Sequence, residues 1–433
     1  MRFTESITMD DRTDPKESLH SKLGISPSFV IFMTTFIDMI GFGMIIPLLP
    51  FHPETVAAGA LALGLLIGSF SLMQFIFSPL LGRLSDKVGR RPVILLSIFS
   101  STISFIVFAL ANSFTMLLLS RITAGMATES AVAQAYISDI TTEKERAKGM
   151  GKVGAAHGAG FIIGPAIGGL LSIYGFSATG FVAAALTLVN FLFAFFFLPE
   201  SNVHTDSSIQ KSVNSDGYWR RLASALTKPF IGAVFIILFV TIFAFSAIPV
   251  IVPLLGIAFF GFTELEMSYF FMYIGVVQIV LQGILIGRLT KRWGEENLIV
   301  FGSLLMALGM LSMPLLSSIV AFFASLTLIS SGMGILNTVL PSFVSTRTAP
   351  DEQGGMLGVV QSVGSIARIP GPLVGGLVAE FVGLNVAFLL SAALVIAAFV
   401  LGFKVFHAHK FRGQQTEGVS YQTTPIRYGG AKK

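Results

Sequence analysis

A chain of 433 residues is long enough for two or three soluble domains, yet 53% of it is hydrophobic and only 12% is charged, about half the charged share of an ordinary soluble protein. It has no cysteine, which excludes disulfides, thiolate chemistry and cysteine-based metal sites; no metal and no cofactor are expected. The net charge of +5 would fit a nucleic-acid partner only if no other use could be found for the basic residues, and their positions supply one.

Residues 1–27 are polar and mixed in charge, without the basic start, short apolar core and cleavage site of a signal peptide. They are expected to form a cytoplasmic segment ahead of a retained first span. Apolar runs of about 20 residues, each enough to cross a ~30 Å hydrocarbon layer as a helix, then follow one another. They occupy 28–50, 61–82, 93–111, 115–138, 150–173, 177–198, 229–258, 267–287, 297–316, 319–346, 355–379 and 384–406. These are twelve spans, numbered here in chain order. The one long polar break, 200–228, divides six from six. The predicted fold is an all-α polytopic membrane protein, with six-helix bundles at 28–199 and 229–406, a cytoplasmic linker at 200–228 and a cytoplasmic tail at 407–433.

Every Lys and Arg except Arg121 and Arg368 falls on one side if the spans alternate. The opposite loops hold carboxylates and a histidine, such as His52, Glu54, Glu264 and Glu266. By the positive-inside rule both termini are cytoplasmic. The basic excess is used for topology, so no nucleic acid is expected as a partner; the bilayer is.

The two halves are copies. "GRLSDKVGRR" at 82–91, between spans 2 and 3, returns as "GRLTKRWGEE" at 287–296, and "GFIIGPAIGG" at 160–169 returns as "ARIPGPLVGG" at 367–376. The spacing is nearly constant, and parallel six-helix repeats are an architecture of secondary transporters. In the first echo the charges change sign: Asp86 corresponds to Lys291, Arg90 to Glu295 and, within a residue or two, Asp139 at the end of span 4 to Arg347 at the end of span 10. Both ends of a pair change together, which predicts a second, inverted pair between Glu295 and Arg347.

Gly82, Leu84, Ser85, Asp86, Gly89, Arg90 and Arg91 resemble the loop 2–3 motif of the major facilitator superfamily. Gly160, Gly164, Pro165, Gly168 and Gly169 resemble the span 5 motif of its drug:proton antiporter branch. Arg121 and Gly125 match its span 4 motif, and "DMIGFGMIIPLLP" at 38–50 its span 1 pattern. Residues 38–200 are similar to bacterial tetracycline-efflux proteins. The resemblance implies a gating latch in which Asp86 faces the N-terminal end of span 11, where a helix dipole favours an anion, and Arg90 pairs with Asp139. It also implies that the span 5 glycines seal the cavity against span 8, and that spans 1, 4, 7 and 10 line that cavity.

Independently of the resemblance, Gly160, Gly164 and Gly168 share one helix face that lets a neighbour approach closely, and Pro165 permits a bend. Asp38, Arg121, Glu129 and Arg368 are ionisable residues inside spans, where a central charge is roughly 2.5–3.5 kcal/mol unfavourable and is functional by default. His157 is the one histidine inside a span, read as either a packed neutral side chain or a proton relay. Arg368 precedes a Gly-Pro and has a second reading as a buttress of that break. The resemblance implies that Asp38, Glu129 and Asn337 face the cavity lined by spans 1, 4, 7 and 10, and with Gln278 and Gln282 these residues make up the predicted coupling site and cavity. Its two carboxyls and Phe239, Phe243 and Phe245 suit an amphipathic, cationic small molecule, with Glu129 and Asp38 as rival proton carriers.

No Walker A motif, nucleophile–base set or HExxH is present, so neither an ATP-driven pump nor an enzyme is expected. The expectation is a monomeric, proton-coupled antiporter of a drug-like compound in the cell membrane. A symporter or facilitator of a small metabolite, and a transporter-like receptor or scaffold, are the alternatives.

Overall fold

The structure is a computed structural model that describes residues 26–201, 229–315, 318–348 and 353–419. The predicted N-terminal segment lies outside these residues almost entirely, as do most of the linker and the last part of the tail. Every described element is a helix. Ten helices are long and apolar enough to cross a membrane, and two local features reconcile that number with twelve spans. The stretch Glu264–Leu315 holds spans 8 and 9, which part at Gly294, where the backbone leaves the helical region (φ 75°, ψ 161°). Span 4 is not one helix but two, Phe114–Met126 and Ser130–Ile140. The predicted continuous helix over 115–138 is therefore corrected: it is broken at 127–129, in the middle of the span.

The halves repeat each other's packing. Span 1 lies on span 5, span 3 on span 6 and span 2 on span 4; in the second half, span 7 lies on span 11, span 9 on span 12 and span 8 on span 10. The contacts between halves obey the same symmetry, span 2 on span 11 and span 5 on span 8. Positive-φ glycines also recur in step, Gly89 with Gly294 and Gly175 with Gly383.

The halves meet unequally at their two ends. At the end that carries loops 1–2 and 7–8 they share one apolar core, in which Leu49, Leu63 and Leu66 join Phe262, Met267 and Phe270. There the backbones nearly touch: a Cβ on Gly64 would lie 2.5 Å from the Pro372 carbonyl oxygen, and one on Gly376 2.6 Å from that of Ala60. At the loop 2–3 end the first half closes a separate core of its own around Val30, Ile94 and Tyr136. Gly82, Gly151, Gly154, Gly287 and Gly358 have open space where a side chain would be. The bundle is shut at the loop 1–2 end and spread at the loop 2–3 end.

The span 5 glycines face a different neighbour from the one expected. Positions 160, 164 and 168 lie against span 1: a Cβ on Gly160 would meet the Phe36 carbonyl oxygen at 2.7 Å, one on Gly164 that of Ile40 at 2.6 Å, and one on Gly168 would collide with that of Met44. Pro165 rests against Gly43 on the same seam. Of the motif glycines only Gly169, about 100° further around the helix, reaches span 8, where Ser268 fills the space; Gly158 meets Ile279 and Ile162 meets Gly275 on the same side. The four-residue stripe thus seals the first half internally, and its flank makes the contact between halves.

Close backbone approach of this kind tolerates no side chain. Gly164→Val is expected to lower the midpoint of thermal unfolding in detergent, as an overpacked contact costing about 1–3 kcal/mol would. The matched Gly151→Val should leave the midpoint nearly unchanged.

Candidate functional site

The break in span 4 shapes the site. Gly125 packs directly on the Phe70 carbonyl of span 2, the first helix ends at Met126, and Glu129 serves as the N-cap of the second. Its side chain does not cap the helix; it is 3% exposed and turns into the protein. It lines a cavity of about 30 Å³ together with Asp38, Gln74, Ser101, Thr128 and Ser130, with Phe42, Phe70 and Phe105 among the apolar walls. That volume holds water or a small ion and no drug-sized molecule.

Both Glu129 oxygens and Asp38 Oδ1 are sealed from solvent without a hydrogen-bond partner. Thr35 lies beside Glu129 and Ser101 beside Asp38. Gln74 Nε2 donates to Thr128 Oγ1 at 3.4 Å. Arg121 is fully buried elsewhere on the first helix of span 4. Its Nη2 donates to Ser120 Oγ at 3.1 Å, its Nε and Nη1 have no partner, and the guanidinium lies 5.9 Å from the Phe108 ring centre. Among the described residues no ion pair joins it to Asp38 or Glu129. His157 borders the site: its Nδ1 is 3.0 Å from the Val153 carbonyl and its Nε2 is 3.4 Å from Ser130 Oγ. Since a carbonyl only accepts, Nδ1 carries the proton and Nε2 accepts from the serine when the ring is neutral.

The cavity that holds the two carboxyls is lined by first-half residues alone. Asn337, Gln278, Gln282 and Arg368, expected to share it, do not. Asn337 and Gln282 are exposed and Gln278 is half-buried. Gln282 sits in a π-turn, Leu281–Leu285, and faces Gly334 of span 10. Arg368 is exposed and ends the helix Gln353–Arg368, just before the next begins at Pro370. The separation follows from the spread of the halves at the loop 2–3 end.

The charged cluster at that end is built in two versions. Gly89 (φ 101°) ends span 2, and Arg90 begins the next helix. Arg90 reaches Asp139 Oδ2 through Nε at 2.9 Å, and through Nη1 Asp86 Oδ1 at 2.5 Å and the buried Ser85 Oγ at 2.7 Å. The N–H groups of Arg90 and Arg91 donate to the two carboxylate oxygens of Glu200 at 2.8 and 3.0 Å. Arg91 Nη2 donates to the Phe195 carbonyl at 2.6 Å. In the second half Arg347 meets Glu295 at 3.3 Å and Glu296 at 2.9 Å, its guanidinium 3.6 Å above the Phe343 ring. Ser342 Oγ donates to Glu295 Oε1 at 2.6 Å. Each cluster ties helices of its own half. The helix of span 11 starts at Gln353; residues 349–352 just ahead of it, beside which Asp86 is expected to lie, are outside the described residues.

Sequence reasoning missed Ser101, Glu200, Glu296 and Ser342. Ser101 was legible as one of the hydroxyls at 97, 101, 102 and 104 in an apolar span; Glu200 had no signal beyond a lone charge at the end of span 6.

A sequence model of the family described as Major Facilitator Superfamily matches residues 31–372 and 284–427. The chain is 32% identical over 354 residues to the tetracycline resistance protein, class D, of Salmonella ordonez, covering 80% of this chain and 88% of that one. It is 29% identical over 357 residues to multidrug resistance protein 2 of Bacillus subtilis (strain 168), with 81% and 88% covered. Among solved structures, an inward-facing, occupied bacterial homologue of the human lysosomal transporter Spinster shares the fold, with a TM-score of 0.73 at 15% identity, covering 91% of this chain and 98% of that one.

Arg347 shares its charge between two glutamates, so exchanging Glu295 and Arg347 should restore part of the stability lost in either single reversal. A double-mutant cycle on thermal unfolding is expected to give a coupling of about 0.5–1 kcal/mol, as for half-exposed pairs; zero coupling would mean that Glu296 alone holds Arg347.

Proposed function

The chain belongs to the Major Facilitator Superfamily, and from that premise we propose that it exports a small amphipathic, cationic compound in exchange for protons, by alternating access. That it is a multi-pass membrane transporter follows from the family. The finer reading is supported by one observation above the others: two carboxyls, Asp38 and Glu129, line one cavity at the break of span 4 without an ion-pair partner among the described residues. Like charges in a dry space repel, so the pair readily takes up either a proton or another positive group. A proton and a cationic substrate that compete for the same pair are thereby exchanged for one another. The relatives named for tetracycline and multidrug resistance support export of a drug-like compound.

By the positive-inside rule the spread loop 2–3 end faces the cytoplasm, together with both termini. The described state is then open inward and shut outward, with Glu129 and Ser130 next to His157 on the inner half of span 5. The Arg90–Asp139 and Glu295–Arg347 clusters hold the inner ends of the helices that must close together when the pore opens outward. The substrate site lies between the halves, where Asn337, Gln282 and Arg368 face the first half's carboxyls as the inner end closes. The transporter works as a monomer, since one chain contains both halves.

One proton entering per molecule expelled at a proton-motive force of ~150 mV supplies roughly 3.4 kcal/mol, an electrochemical gradient of about 300-fold, of which the pH difference alone sets the concentration ratio of a monovalent cation. In everted vesicles tested with cationic dyes and tetracyclines, an uncoupler is expected to abolish accumulation; uphill transport that persists would exclude proton coupling, and uptake in the opposite direction would make the chain a symporter. Glu129→Gln should keep substrate binding measurable but insensitive to pH between about 6 and 8. Binding that titrates as in the unaltered protein would transfer the coupling role to Asp38.

A further inference from the structure

At the shut end a carboxylate of one half holds a backbone group of the other. Glu380, at the end of span 11, accepts the N–H of Ala60 through Oε2 at 2.6 Å. Span 2 is not continuous here: Gly59 stands at φ 86°, ψ −175°, and the helix that runs on to Val88 starts again after it. The first N–H groups of that restart have no partner within the helix, and the partial positive charge of a helix is greatest at this point. Gly59 admits the carboxylate, since a Cβ there would lie 2.6 and 2.8 Å from its two oxygens. Among the described residues Glu380 forms no salt bridge.

The same construction occurs inside the first half. Gly89 ends span 2 at positive φ, a new helix begins at Arg90, and Glu200 takes its first N–H groups; a Cβ on Gly89 would lie 2.5 Å from Glu200. That clamp ties span 3 to span 6 within one bundle. The clamp at Gly59 ties span 2 of one bundle to span 11 of the other, along the seam that Gly64 and Gly376 close.

We propose that Glu380 is the gate residue of the outer end: its carboxylate on the restarted helix at Ala60 holds the two halves together in the inward-open state and lets go when the outer end opens. The proposal rests on the alternating-access reading above. A contact across a moving seam is made and broken in every cycle, so weakening it shifts the balance between the two states, whereas weakening the Gly89 clamp, whose partners move together, does not.

The absence of cysteine makes a direct test available in the full chain. Leu373 of span 11 packs against Gly68 on the seam, and an L373C reporter reacts with a membrane-impermeant maleimide applied from the outside only when the outer end opens. E380Q, which keeps an acceptor but removes the charge, should raise the labelling rate by on the order of fivefold, the shift an ordinary helix-end charge interaction produces, and E380A by more. E380D should label closer to the unaltered chain than E380A does, which keeps the test valid if E380A folds poorly. A G358C reporter at the inner end should label more slowly from the inside in the same variants. Unchanged L373C labelling in E380Q and E380A would overturn the proposal, as would an equal rise in E200Q, which would mark general loosening. If L373C stays unlabelled in every variant, even under a substrate gradient, the alternating-access reading fails first and the gate with it.

Discussion

A bilayer offers the backbone no water, so each place where a helix stops inside it must find its own hydrogen-bond partners or line a cavity. This constraint organises the molecule. At the two ends of span 2 the helix is interrupted at Gly59 and ends at Gly89, and each time a distant carboxylate covers N–H groups of the helix that follows. Span 4 stops at 127–129, where no side chain caps the second helix. There the structure takes the other solution, a small cavity with the free helix end, hydroxyls of Ser101, Thr128 and Ser130, and the two carboxyls around it. The candidate coupling site is the least satisfied of the three breaks, and its unpaired polar groups are what a proton or a cation can engage.

The repeat explains why the two halves look alike and why only one carries the carboxyls. Duplication supplies matched turns at Gly89 and Gly294 and the reciprocal packing of span 2 on span 11 and span 5 on span 8. At the inner end the charged cluster survives in both copies with its signs exchanged, Arg90 between Asp86 and Asp139, Arg347 between Glu295 and Glu296. Exchange of sign preserves attraction within each half, so the device can change without unfolding either bundle. Span 10, by contrast, runs unbroken from Ile319 to Thr346 where its counterpart span 4 is split. A continuous helix satisfies its own backbone and leaves no free end in mid-span.

The spans and the duplication were legible in the sequence because they rest on length and repetition. The break in span 4 was not, because "MATES" at 126–130 contains neither Gly nor Pro; tertiary packing of Gly125 on span 2 overrides the local preference for helix. That break also invalidates any angle measured along an ideal helix from Arg121 to Glu129. Periodicity correctly put Gly160, Gly164 and Gly168 on one face, but it carries no information about which neighbour that face meets. Span 5 has span 1 on one side and span 8 on another, and one residue of rotation separates the two. Glu380 lies one position beyond the predicted span 11, and nothing in its local sequence marks a contact with span 2.

The two ends of the bundle use different chemistry, and the topology supplies the reason. On the orientation proposed above, the positive-inside rule holds Lys and Arg to the loop 2–3 end, so guanidinium–carboxylate clusters are available there and are used twice. The outer end has been emptied of side-chain cations by the same rule. A carboxylate that holds the halves together at that end has one positive partner left, the terminus of a helix, and a glycine at positive φ exposes such a terminus at the start of span 2. Gly59 and Glu380 therefore follow from the positive-inside distribution as directly as Arg90 and Asp139 do. The outer contact crosses between the halves, and a backbone N–H set free when they part meets water in the opening vestibule, whereas each guanidinium cluster lies within one half and stays paired. An asymmetry of that kind makes the shut outer end a state the protein can leave.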